Sequence, residues 1–261
     1  MRDRPEAATY AAMAKGQIRV GIGGWDFDPW RDNFYPKGLA KAKQLGFAAD
    51  KLTAIEINAT YYRSQKPETF ANWAKAVPDG FKFAVKASRF ATNRKVLAEG
   101  AESVERFLGQ GITELGDRLG PILWQFMATK KFDADEFAAF LKLLPEKQDG
   151  VPLRHALEVR HESFRDPAFY ALAKKANAAI VFADSDQFPD IDEPTADFTY
   201  ARLQRCVEDC PTGYDGPALD RWAERARTWQ QSGDVYVFFI SGAKVRAPAA
   251  AMALQERLGI A

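Results

Sequence analysis

Cysteine and histidine are scarce in this chain, with only Cys206, Cys210, His155 and His161 among 261 residues. Two cysteines exclude a disulfide scaffold and point to a reducing compartment, with the cytoplasm as the expected location. The Cys206-Val-Glu-Asp-Cys210 spacing resembles half of a cluster-binding motif, but an iron–sulfur site needs four ligands. Two histidines in no ligand spacing leave zinc without a motif, even with Asp184 and a glutamate added. Neither a metal nor a cofactor is expected. Charge excess is also missing, because 36 basic residues meet 35 acidic ones for a net charge of +1. Bulk electrostatic attraction to nucleic acid or anionic membrane is therefore not expected, although the total says nothing about a local patch. No stretch reaches the roughly 18 apolar residues of a membrane span. Residues 1–17 mix Arg2, Arg4, Glu6 and Lys15 with alanines, lack the apolar centre of a signal peptide, and read as an N-terminal arm.

What the chain does have is a rhythm. Eight strand-like runs end in polar or charged residues: Ile18–Trp25, Ala54–Tyr62, Phe81–Arg89, Leu119–Met127, His155–Ser163, Ala178–Ser185, Phe198–Gln204 and Asp234–Ser241. Apolar centres such as Ile122-Leu123-Trp124 suit strands covered on both faces. Helix-like segments follow most of them, which implies parallel pairing and a single (β/α)8 TIM barrel over residues 18–261. An open doubly wound sheet is the weaker alternative, since Gly21-Ile-Gly-Gly matches a phosphate-binding turn poorly.

Helix boundaries are marked by caps and prolines. Pro67 precedes Phe70, Trp73, Ala74 and Val77, and Asp166-Pro167 precedes Phe169, Leu172, Ala173 and Ala176. Asp133 and Glu136 have the spacing of a capping box ahead of Phe137, Phe140, Leu141 and Leu144. Between Ser185 and Phe198 the chain is too polar and proline-broken for a helix. An irregular connection between strands 6 and 7 is expected there.

Chemistry in such a barrel sits at the carboxyl ends of the strands. Period-2 alternation places Glu56, Asn58 and Thr60 on one face, Lys86 with Ser88, Glu158 with Arg160, and Arg202 with Gln204. Gln125 and Asp184 end the fourth and sixth runs. Glu56, Glu158 and Asp184 match Lys86, Arg160 and Arg202 in charge, which suggests a neutralised network at the mouth. Its bland reading is a set of ion pairs holding strand register. Its functional reading is a site in which burial and opposed charges separate an acid from a base. His161 is a candidate base, or a residue that only bonds to its own loop. Ser241 and Lys244, in the loop before the last helix, are candidates for an anion cradle, with Arg202 and Arg205 nearby. Trp25 and Tyr61 are candidate walls for a ring-shaped ligand.

Six stretches carry a resemblance. They are Gly23–Pro36, Glu56-Ile-Asn-Ala-Thr-Tyr-Tyr-Arg63, Phe83–Arg89, Leu119–Gln125, Glu158-Val-Arg-His-Glu-Ser-Phe164 and Ala196–Leu203. In that order they resemble the YecE-like family of TIM-barrel proteins, whose function is not established. The resemblance implies a TIM barrel with Glu56, Asn58, Lys86, Glu158, Arg160 and Arg202 lining its mouth, and it supplies no reaction. The chain departs from the family pattern at Asn93, where a histidine is usual, and at Phe126-Met127-Ala128 in place of Leu-Pro-Pro. It departs again at Gln204-Arg205 in place of His-Gly, and at Ile240-Ser241 where asparagines are common. These losses argue against metal or histidine-base chemistry.

The leading expectation is an enzyme, a hydrolase or isomerase, for a small anionic, sugar-containing or phosphate-containing substrate. In it Glu56, Lys86, Glu158, Arg160 and Arg202 are catalytic. Trp25, Asn58, Tyr61, Arg89, Gln125, His161, Asp184, Ser241 and Lys244 bind substrate. A ligand-binding scaffold without turnover is the second reading. A nucleic-acid repair nuclease, by analogy with the metal-dependent endonucleases of similar fold, is the third.

Overall fold

The computed structural model describes residues 15–260. Of the expected N-terminal arm, residues 1–14 lie outside the described residues, and Lys15 to Gln17 lead directly into the first strand. The barrel strands are β1 Ile18–Gly23, β2 Ala54–Ile57, β3 Lys82–Lys86, β4 Leu119–Gln125 and β5 His155–Glu158. β6 comes in two segments, Ala178–Ile180 and Phe182–Asp184, followed by β7 Phe198–Leu203 and β8 Asp234–Phe239.

Every neighbouring pair is parallel, β8 pairs back onto β1 through Ile22↔Phe239, and the sheet is nearly closed, its two ends being the two segments of β6. At β6 the first segment pairs with β5 and the second with β7, with Val181 between them. The strands end earlier than the polar runs suggested. Asn58 and Ser88 already belong to loops, each leading into a single helical turn at Ala59–Tyr62 and Arg89–Thr92.

Among the described residues seven helices cover the outside: α1 Gln44–Ala49, α2 Pro67–Lys75, α3 Ala101–Leu108, α4 Ala134–Leu141, α5 Pro167–Lys175, α6 Gly216–Trp229 and α7 Ala247–Leu258. No helix joins β6 to β7, as the prolines of that segment dictate. A cleft of about 460 Å³ opens beside this connection, walled by Ile180, Phe182, Phe198 and Trp229. Asp133, Asp166 and Asp215 cap α4, α5 and α6 by accepting backbone N–H bonds. The expected capping box is only half formed. Glu136 is drawn away to the Leu97 amide and Lys130, at 2.8 and 2.9 Å.

Alternation sorts the core into two layers. Ala54, Ala84, Leu123, Ala156, Ala179, Tyr200, Tyr236 and Phe238 fill the barrel. Ile55, Val85, Trp124, Leu157 and Phe239 face outward and join the helices. Gly21 is required where β1 meets β2, because a Cβ there would lie 1.9 Å from the Ala54 carbonyl oxygen. Small residues low in the barrel leave room for two large phenols and, above them, for charge.

Candidate functional site

Five of the inward positions have a polar successor two residues on. Glu56 follows Ala54, Lys86 follows Ala84, Gln125 follows Leu123, Glu158 follows Ala156, and Arg202 follows Tyr200. The five converge at the carboxyl end of the barrel, and all are buried.

Arg202 is the hub. Its Nη1 donates to Glu158 Oε2 at 2.5 Å and its Nη2 to Glu56 Oε1 at 3.0 Å. Tyr200 donates to Glu56 Oε2 at 2.7 Å, and Gln125 Nε2 donates to Glu158 Oε2 at 2.7 Å. Arg160 reaches back from the loop to give Glu158 Oε1 two bonds, at 2.9 and 3.1 Å, with its guanidinium 4.3 Å from the Phe188 ring centre. Burial raises the Glu158 pKa, but Arg202, Arg160, Lys86 and Gln125 outweigh it and hold the carboxyl down to about 2. Burial lowers the Arg202 pKa, yet its two carboxylates outweigh that and keep the guanidinium charged. The Nε–H of Arg202 is buried without a hydrogen-bond partner among the described residues.

Lys86 is treated differently. No carboxylate of the described residues lies within the 4.0 Å of an ion pair, and its Nζ rests 4.2 Å from the Tyr61 ring centre. Burial and the neighbouring Arg202 lower its pKa to about 8, against the pull of Glu56 and Glu158. Lys244 repeats the arrangement from the β8 loop, with Nζ 4.6 Å from the Phe27 ring and 5.3 Å from that of Trp30. Burial lowers its pKa as well. Two carboxylates thus face four cations in this cluster.

The remaining candidates are more dispersed. Asp184 leaves the cluster, because Val181 faces inward and Phe182 outward, and alternation puts Asp184 on the outward face with Phe182. There it accepts a bond from Tyr214 at 2.8 Å and pairs with Arg205 at 3.2 Å, while burial raises its pKa. The three-against-three balance read from the sequence is corrected accordingly. Trp25 packs edge-on against Trp73 at 5.2 Å, outside the barrel. Asn58 donates to the Glu56 carbonyl at 3.3 Å. His161 accepts the Ser163 amide at 3.1 Å and closes its own turn. His155 sits at the opposite end of β5, between Trp124 and the Pro145 carbonyl, so the two histidines cannot share a metal. Arg89 is exposed on the rim. At the expected anion cradle, Ser241 is half-buried, and the Ala243 and Lys244 amides are already bonded to Cys206 and Gly242 at 2.7 and 2.9 Å. Tyr200 and Phe188 went unnoticed in the sequence. For Tyr200 the signal was available, since it lies two residues before Arg202 on one strand face.

A nearly closed parallel barrel with buried charge gathered at the carboxyl ends of its strands defines a TIM-barrel protein. Within that class the chain belongs to the family described as "Protein of unknown function DUF72", whose model matches residues 19–261. It is 28% identical over 159 residues to UPF0759 protein YunF of Bacillus subtilis, covering 59% of this chain and 54% of YunF. It is 26% identical over 149 residues to UPF0759 protein YecE of Escherichia coli K12, covering 56% and 50%. The chain therefore spans about half the length of the curated relatives it matches. The crystal structure of a DUF72 family protein from Thermotoga maritima superposes with a TM-score of 0.72 at 24% identity, over 92% of this chain and 97% of that one. No helix among the described residues is long and apolar enough to cross a membrane.

Proposed function

We propose that the barrel mouth is the active site of a cytoplasmic enzyme that moves a proton on a small anionic substrate, a sugar phosphate or hydroxy acid. One observation carries this reading: Lys86 is a buried amine with no carboxylate partner among the described residues, beside Glu56, Glu158, Arg160 and Arg202, which are paired. An amine near pKa 8 is partly neutral at physiological pH and can accept a proton there. The excess of cations suits an anionic substrate. Arg160 and Lys244 stand at the rim to hold negative charge.

In this reading Glu158 is an anchor. A carboxyl held to about 2 is a poor acid or base at neutral pH, so its work is to fix Arg202 and Arg160. Glu56 orients the same guanidinium from across the barrel. Tyr61 supplies the surface over which the Lys86 amine is presented.

The test is a turnover screen over sugar phosphates and hydroxy acids, with thermal shift in parallel, on wild type and Lys86→Met. A ligand at 100 times its dissociation constant stabilises by about 2.7 kcal/mol. Turnover that Lys86→Met abolishes while the thermal shift persists supports the assignment. A substrate turned over equally well by folded Lys86→Met sinks it. Binding without any turnover would favour the scaffold reading, to which the tight pairing of Glu158 also lends itself.

A further inference from the structure

The near-zero net charge hides an asymmetry around the rim. The segments 58–67 and 82–98, which carry the loops after β2 and β3, contain no acidic residue. Those loops display Arg63, Lys66, Arg89, Arg94 and Lys95, and none of the five forms an ion pair with an acid among the described residues. The opposite rim is the reverse. There Arg165 pairs with Glu162 and Asp190, and Arg205 with Asp184 and Asp186. One half of the rim neutralises its own cations, and the other leaves them available.

The free half also carries the two most exposed large aromatic residues described, Tyr62 at 63% and Phe90 at 58%. Tyr62 meets Tyr61 edge-on at 5.1 Å and Arg89 stands 5.3 Å from the Phe90 ring centre, yet more than half of each residue faces solvent. Below Phe90 lies a cleft of about 370 Å³ lined by Arg63, Ser64, Ser88, Arg94 and Ser103. Arg106 and Glu102 line it too, and they pair with each other. Arg94 is held rigidly within it. Its guanidinium donates to the Phe90 and Glu99 carbonyls at 2.6 and 2.9 Å and to Ser103 Oγ at 2.7 Å. Such a fixed fork matches a phosphate.

We propose that the rim over β2 and β3 binds single-stranded nucleic acid, with the unpaired cations tracking its phosphates and Tyr62 and Phe90 stacking on its bases. Cations interleaved with exposed rings are what a single strand needs, because its bases are free to stack. A duplex keeps its bases inside and would meet only the charges. Five cations spread over two loops exceed what one mononucleotide can engage. The proposal does not depend on turnover at Lys86.

The experiment is fluorescence anisotropy of a labelled 12-nucleotide oligo-dT, with a duplex of equal length alongside, at about 50 and 200 mM salt. With three phosphate contacts, affinity for the single strand should fall roughly 20-fold between these salts. Arg63→Glu with Lys95→Glu, and separately Tyr62→Ala with Phe90→Ala, should each weaken binding by about tenfold or more. Asp190→Ser, on the paired half, should leave it within about twofold. All these positions are at the surface, so unchanged melting temperatures separate lost binding from lost fold. No binding at the lower salt overturns the proposal, as does binding indifferent to both double variants. Duplex or heparin held as tightly as the single strand also overturns it, since that describes a general polyanion surface.

Discussion

Tyr200 and Glu56 meet across the barrel, with the phenol on β7 donating to a carboxylate on β2 at 2.7 Å in a fully buried setting. Arg202, one inward position further along β7, takes the other oxygen of the same carboxylate. Two successive inward residues of one strand thus hold one side chain of another.

Tyr200→Phe removes that donor and almost no volume. One oxygen of Glu56 is then left unsatisfied, which costs about 1–3 kcal/mol for a buried acceptor. Urea denaturation should show a lower midpoint with an unchanged slope. A loss under about 0.5 kcal/mol would mean that water replaces the phenol.

Glu158→Gln should destabilise more, by about 3–5 kcal/mol at pH 7, because Arg202 and Arg160 lose their shared counter-charge. The sign with pH follows from a folded-state carboxyl near 2 against an ordinary value of 4.5. Its stabilisation is complete above 4.5 and is lost as pH falls toward 2. The gap between wild type and variant should therefore close over that window in pH-resolved unfolding. A gap of constant size would contradict the charge assignment.

Lys86→Met should do the opposite and raise stability, by about 1–3 kcal/mol at pH 7. The folded amine titrates near 8 and the unfolded one near 10.5, so the folded state binds fewer protons between those values. Wild-type stability should climb with pH across that interval, while the variant should not share the rise. The same group predicts a turnover rate that increases through about pH 8 and then levels. Calorimetry at pH 7 and 9.5 checks the first part, and a pH–rate profile the second.

His155 offers a structural titration at the far end of the barrel. Its Nδ1 accepts from Trp124 at 3.1 Å, so Nε2 carries the proton donated to the Pro145 carbonyl at 2.9 Å. Burial lowers its pKa below 6.5. The unfolded chain takes up a proton as pH drops through 6.5 while the folded one stays neutral, so stability falls from there downward. His155→Gln should be less stable at pH 7.5 and lose less on going to pH 5, as melting curves would show.

Much of the fold was legible because buried parallel strands announce themselves as apolar runs. Glu56, Lys86, Glu158 and Arg202 stood out as charges at the ends of such runs. Asn58, Ser88 and Arg160 were read as continuing strands, although the backbone turns after Ile57, Lys86 and Glu158. Arg160 still reaches Glu158 only because its side chain is long. Asp184 was grouped with the wrong face, since one residue decides inside from outside in a strand. No sequence pattern shows which cation of a cluster will lack a partner. That is settled by which strands stand next to one another, and it is why the missing partner of Lys86 shows only in three dimensions.

The divided β6 has a consequence for how the molecule breathes. Its two three-residue segments are each tied to one neighbour, with no helix roofing the connection that follows. The ring of hydrogen bonds is thinnest there, and a ring opens first at its thinnest link. Amide hydrogens of residues 178–184 should exchange with solvent ahead of those in β1 or β8. The barrel thus has a built-in seam on the side away from Lys86, and the Arg202–Glu158 ion pair reaches across it from β7 to β5 as its clasp.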